Sequence, residues 1–136
     1  MSRIGNRKIV IPEGVKYMDS TFSECRNMLV ASNIPSSVVS LRRVFYGCEK
    51  LDSIVTIPTK NKIDIEGMFA NCYSLTTLNL SSFDTSSCEA MDGMFNYCTN
   101  LTSLTIPFIT TSVKTMKDMF KNCRKLVSLD LSTLIL

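Results

Sequence analysis

Six cysteines are the residues of this chain best suited to chemistry, and five of them recur in one pattern: Phe22-x-x-Cys25, Phe45-x-x-Cys48, Phe69-x-x-Cys72, Phe95-x-x-Cys98 and Phe120-x-x-Cys123. Regularly spaced thiols could pair as disulfides, hold zinc as thiolates or act as nucleophiles. Each reading meets an obstacle in the sequence. There is no Cys-x-x-Cys pair and no histidine, so the usual zinc sets and the Cys-His and Ser-His dyads lack members. A straight file of thiols cannot converge tetrahedrally on one ion. Stacked turns about 4.8 Å apart keep in-register Cβ atoms near that spacing, whereas a disulfide needs about 3.8 Å. The sixth, Cys88, falls where other turns carry Val15, Val38 and Val113. A residue interchangeable with valine is a small buried hydrophobe. All six are therefore expected reduced and in the core, with disulfides or metal and redox chemistry as the competing readings.

Carboxylates offer no better catalytic set. Three residues before each phenylalanine stand Asp19, Arg42, Glu66, Asp92 and Lys117. The mixed signs suit pairing between neighbouring turns on a solvated face, each contact contributing on the order of 0.2–1 kcal/mol. The five glycines are scattered, as at Gly47, Gly67 and Gly93, without a phosphate loop. No catalytic residue, metal ligand or cofactor is assigned, and the chain is read as a non-enzyme.

The elements that position these residues follow from the repeat. Successive phenylalanines lie 23 (45−22), 24 (69−45), 26 (95−69) and 25 (120−95) residues apart, within the period of solenoids whose stacked turns share one core. Three residues past each cysteine stand Met28, Leu51, Leu75, Leu101 and Leu126, and six past it Ala31, Ile54, Leu78, Leu104 and Leu129. Leu78-Asn79-Leu80, Leu104-Thr105-Ile106 and Leu129-Asp130-Leu131 alternate with the period of a strand that buries one face. Proline ends several strands, at Ile11-Pro12, Ile34-Pro35, Ile57-Pro58 and Ile106-Pro107, because it cannot donate to a ladder. On the return limb, apolar residues one, four and seven before the phenylalanine suit a 3₁₀ or irregular path. The third turn departs, with Lys62 on an apolar position and Ile63 able to replace it by a one-residue shift. The expected fold is mainly β: one solenoid domain over 1–136, about five to six turns, with one short parallel strand per turn and short 3₁₀ or irregular return limbs.

Residues 67–86, from Gly67-Met-Phe-Ala-Asn-Cys to Phe83-Asp-Thr-Ser, and 93–107, Gly93-Met-Phe-Asn-Tyr-Cys-Thr-Asn-Leu-Thr-Ser-Leu-Thr-Ile-Pro107, resemble the BspA-like leucine-rich repeats of bacterial surface proteins. The resemblance covers about Ile9 to Leu131. It implies a right-handed solenoid and adhesion or protein binding without catalysis. It also implies export, yet the opening MSRIGNRKIVIPEG has no apolar segment of the kind a signal peptide needs, and no run approaches the roughly 18–20 apolar residues of a membrane span. A cytoplasmic or virion-associated location is therefore expected over an exported one, with no membrane insertion.

The net charge of +3 divides unevenly. Residues 1–62 carry ten Lys/Arg against five Asp/Glu, 63–113 none against five, and 114–136 five against two. An acidic centre interrupts the basic stripe a nucleic-acid binder would need, so nucleic acid is not an expected partner.

The outward strand positions form the candidate binding face: Asp52, Ser53, Thr56, Thr76, Thr77, Asn79, Thr102, Ser103, Thr105, Ser128 and Asp130. Hydroxyl and amide groups at a fixed pitch can hydrogen-bond a protein, the first partner expected, or a glycan; β propensity alone predicts the same composition. The chain closes on Leu134, Ile135 and Leu136 with no polar cap sequence. These three are the candidate end interface, through self-association or another protein, unless they fold back on their own turn. The first functional expectation is a protein-binding module; the alternative is a structural or adhesive subunit of a bacterial surface or phage virion that attaches to a host or glycan.

Overall fold

The computed structural model describes residues 10–27, 30–31, 34–51, 53–54, 63–81, 83–107 and 109–129. The five phenylalanines form one column. Ring centroids of Phe22, Phe45, Phe69, Phe95 and Phe120 follow one another at 6.0, 5.7, 5.6 and 5.6 Å, with interplanar angles of 9°, 17°, 4° and 2°. Near-parallel rings at this separation fall in the stacked range, and the spacing requires each repeat to lie directly on the one before it. Each repeat is called a coil below.

Beside the column run further files of buried side chains. Met18, Leu41, Ile65 and Met91 form one, and Cys25, Cys48, Cys72 and Cys98 another; Leu51, Leu75 and Leu101 a third, Leu78 and Leu104 a fourth. Ile63 is buried at 3% exposure, so the third coil uses the one-residue shift; Lys62 lies outside the described residues. Phe83-Asp84-Thr85-Ser86 is a built corner. Phe83 is buried, Asp84 Oδ1 accepts from the Ser86 amide at 2.9 Å, and the buried Thr85 hydroxyl donates to the Ile109 carbonyl at 2.9 Å and accepts from the Ile109 amide at 3.0 Å.

Of the two paths expected for the return limb, 3₁₀ or irregular, the described residues take the irregular one. Each coil makes consecutive β-turns, in which the Met68, Ala70 and Cys72 amides donate to the Ile65, Gly67 and Phe69 carbonyls at 3.2, 3.0 and 3.3 Å. The intervening amides bond the next coil: Gly67 to Asp92, Phe69 to Met94 and Asn71 to Asn96, at 2.9, 2.9 and 2.8 Å. Positive φ two residues before and two after each phenylalanine redirects alternate amides along the stack, at Gly67 and Asn71 (62° and 60°) and at Gly93 and Tyr97 (both 62°). A 3₁₀ segment keeps φ negative and every amide within itself. Apolar spacing of three is shared by both geometries, so the sequence period did not separate them.

Among the described residues, short strands occupy the other side: β1 (Val30–Ala31), β2 (Ser53–Ile54), β3 (Thr77–Asn79) and β4 (Ser103–Thr105). β1 pairs with β2 and β3 with β4, both parallel, and parallel bridges join Tyr17 to Ser40, Ser40 to Asp64, Ala90 to Thr115 and Ser103 to Ser128. In β3 and β4 Leu78 and Leu104 point inward and their neighbours outward, the alternation the sequence predicts. Among the described residues no helix is long and apolar enough to cross a membrane.

Cys88, at 0% exposure, belongs to the file that also holds the buried Val38. Cys88→Val is expected to change stability at neutral pH by less than about 1.5 kcal/mol, the range of volume-conserving core swaps. Urea unfolding measures it, and a larger loss would reveal a thiol interaction that valine cannot supply.

Candidate functional site

The thiols lie where the column needs a small polarizable group. Cys48, Cys72, Cys98 and Cys123 direct their Sγ to the carbonyl of the phenylalanine one coil earlier, Phe22, Phe45, Phe69 and Phe95, at 3.1, 3.3, 3.2 and 3.1 Å. That carbonyl also accepts the amide of its own coil's cysteine, as Phe69 does from Cys72. A thiol is a weak donor that caps the second lone pair of the carbonyl without adding bulk. This accounts for cysteine where alanine or valine would fill the space but leave the oxygen half-satisfied. All six cysteines are free thiols, five buried and Cys123 partly exposed at the last described coil. Among the described residues no group of three or more Cys, Asp or Glu is placed to hold a metal ion.

Burial raises the thiol pKa values, because it penalises the thiolate. Cys48 and Cys88 are pushed up to about 12 and Cys123 to about 11, desolvation leading in each; desolvation also raises Cys25. Cys72 is held well above the ordinary value by a hydrogen bond with the Cys98 side chain and by burial. Reactive cysteines occupy environments that lower the pKa; the surroundings of Cys25, Cys48, Cys72, Cys88 and Cys123 raise it.

The described part of the strand face points to solvent. Thr76, Thr77, Asn79, Ser103, Thr105 and Ser128 are exposed and Thr102 is half-buried. Thr77 lies opposite Ser103, Asn79 opposite Thr105 and Ser103 opposite Ser128. Thr102 directs its hydroxyl to the Thr76 carbonyl at 3.0 Å, and Asn79 Oδ1 accepts from the Ser81 amide at 2.9 Å, so these two also tie the backbone. Val127, 87% exposed, ends the polar file that Thr76 and Thr102 begin. Ser53 belongs to β2. Asp52, Thr56, Asp130, Leu134, Ile135 and Leu136 lie outside the described residues.

The mixed-charge file pairs between coils. Arg42 meets Glu66 at 3.1 Å and Asp64 at 3.8 Å. Asp92 accepts from the Lys117 amide at 2.8 Å and the Thr115 hydroxyl at 2.7 Å. Beside this file the return limb is concave, a feature the sequence reading missed. A depression of about 430 Å³ is lined by Arg43, Tyr46, Gly67, Gly93, Asn96 and Tyr97 among others. The sequence signal was present in the positions two before the last four phenylalanines of the repeat, which read Arg43, Gly67, Gly93 and Asp118: a large side chain, two missing ones, then a short one.

A family model described as a Mycoplasma protein of unknown function, DUF285, matches residues 16–133. Neither the curated proteins nor the solved structures contain a match.

Proposed function

The chain belongs to the DUF285 family of Mycoplasma proteins, and from that membership together with its stacked coils we propose a non-enzymatic binding module, a leucine-rich-repeat solenoid of the BspA-like kind that meets a protein partner through its strand face. The observation that carries this reading is the lateral register of Thr77, Ser103 and Ser128, with Asn79 and Thr105 beside them. Exposed hydroxyls and amides at one pitch offer donors and acceptors to an opposing backbone or surface. The thiols do not compete for a functional role, since burial and the phenylalanine carbonyls account for them.

The singly substituted Ser103→Lys protein tests the reading, because one lysine puts a charge in the middle of the exposed file without setting two like charges opposite each other. Wild-type protein immobilised in extract of its native host is expected to capture a discrete protein identifiable by mass spectrometry. The variant, melting at the same temperature, is expected to lose it. Identical capture by both proteins rejects the strand face as the binding surface.

A further inference from the structure

The depression on the return limb is the second surface with the character of a site, and it lies on the limb opposite the strands. We propose that it binds a short neutral saccharide. The argument begins with why two glycines stand where they do. Gly67 and Gly93 have φ of 62°, but the equivalent residues Arg43 and Asp118 adopt 52° and 55° in the same file. The backbone there accepts side chains, so the turn alone does not demand glycine. What glycine changes is the surface. A Cβ on Gly93 would meet nothing nearer than Asn96 Cβ at 3.9 Å, whereas one on Gly67 would come within 3.1 Å of Arg43 Cγ. Arg43 therefore leans over Gly67, and the space above Gly93 stays open.

The walls have mixed chemistry. Tyr46 carries the Arg43 guanidinium 5.5 Å from its ring centroid, and its hydroxyl is held by the Asn71 amide. Tyr97, 40% exposed, borders the other side. Glu66, Asp92 and Lys117 supply acceptors and donors between them. A pyranose presents hydroxyl pairs around its edge and an apolar C–H face. Carboxylate, amide and guanidinium groups match the first and a tyrosine ring the second. Three carboxylates, Glu66, Asp92 and Asp118, share this surface with two cations, Arg43 and Lys117, and Arg42 beside it meets Glu66 at 3.1 Å, so neither an anion nor a cation finds a concentrated counter-charge. The buried Asn96 Oδ1 has no hydrogen-bond partner, so turning that amide toward a ligand hydroxyl sacrifices no existing bond to the oxygen. The volume of about 430 Å³ suits a small ligand.

The test uses substitutions that the files themselves contain or tolerate. Gly93→Asn fills the open floor with a residue that accepts positive φ. Tyr97→Asn removes the wall with the residue that Asn71 and Asn122 already place at that position, at φ of 60° and 61°. Isotope-labelled protein is titrated with cellobiose, lactose and chitobiose to about 10 mM, enough to register a millimolar Kd. Amide shifts are expected around Gly67, Asn71, Gly93 and Asn96 with at least one disaccharide. Each variant, with its unperturbed spectrum otherwise retained, is expected to raise the Kd about tenfold or more. No shift with any of the three, or shifts that survive both substitutions, overturns the proposal. Shifts confined to Thr77, Ser103 and Thr105 also overturn it, assigning saccharide to the strand face instead, while loss of protein capture by the lysine variant leaves the depression unaffected.

Discussion

Phe69→Ala is expected to destabilise the protein by about 3–5 kcal/mol, the cost of removing a buried aromatic side chain and leaving a cavity. Phe69 has 0% exposure and stacks on Phe45 and Phe95 at 5.7 and 5.6 Å. Its deletion thus unsupports a ring on either side. The space cannot close easily, because the coils are held at fixed spacing by backbone bonds such as those the Phe45 and Phe69 amides donate to the Met68 and Met94 carbonyls, at 3.1 and 2.9 Å. Domains of this size are stable by only about 5–15 kcal/mol, so the loss should be large in urea unfolding followed by circular dichroism. A change under about 1 kcal/mol would contradict the cavity cost and the buried column with it.

The second large effect concerns thiol reactivity. A pKa of about 12 for Cys48 and Cys88 in place of 9.0 lowers the thiolate fraction near pH 8 about a thousandfold. Burial blocks reagent access as well. Native protein should therefore be inert to a thiol-specific disulfide reagent for the duration in which denatured protein reacts completely, with Cys123 the first to be modified because it is only partly covered. Rapid native reaction of Cys48 or Cys72, located by mass spectrometry, would refute this. The same shifts make stability depend on alkaline pH. Below about pH 9 the thiols are protonated in both states and their contribution is complete. Between about 9 and 12 the unfolded chain releases protons that the folded chain retains, so stability falls through that window.

Much of this arrangement was legible in the residues. The Phe-x-x-Cys spacing located the column and the thiol file, and the alternation around Leu78 and Leu104 located β3 and β4. Valine at the sites equivalent to Cys88 identified a core position. These succeeded because burial is set by side-chain type and interval, which a sequence displays. The turn geometry was not legible: positive φ falls on Arg43, Asn71, Tyr97 and Asp118 as well as on glycine, so residue type does not announce it. The concavity was missed for a related reason. It arises from side chains absent at Gly67 and Gly93 between Arg43 and Tyr97, and a scan for chemical groups does not register a gap. The role of sulfur as a donor to the phenylalanine carbonyl also needed coordinates, since it joins residues 26 to 29 positions apart.

The alternation of amides between home and neighbouring carbonyls bears on how such a chain can change over generations. A cut within a coil strands donors on both sides, but duplication or excision of one whole period rejoins surfaces of the same shape and bonding. Tandem gain and loss should thus be the cheapest edit open to this architecture, altering reach along the axis while leaving the seam unmarked.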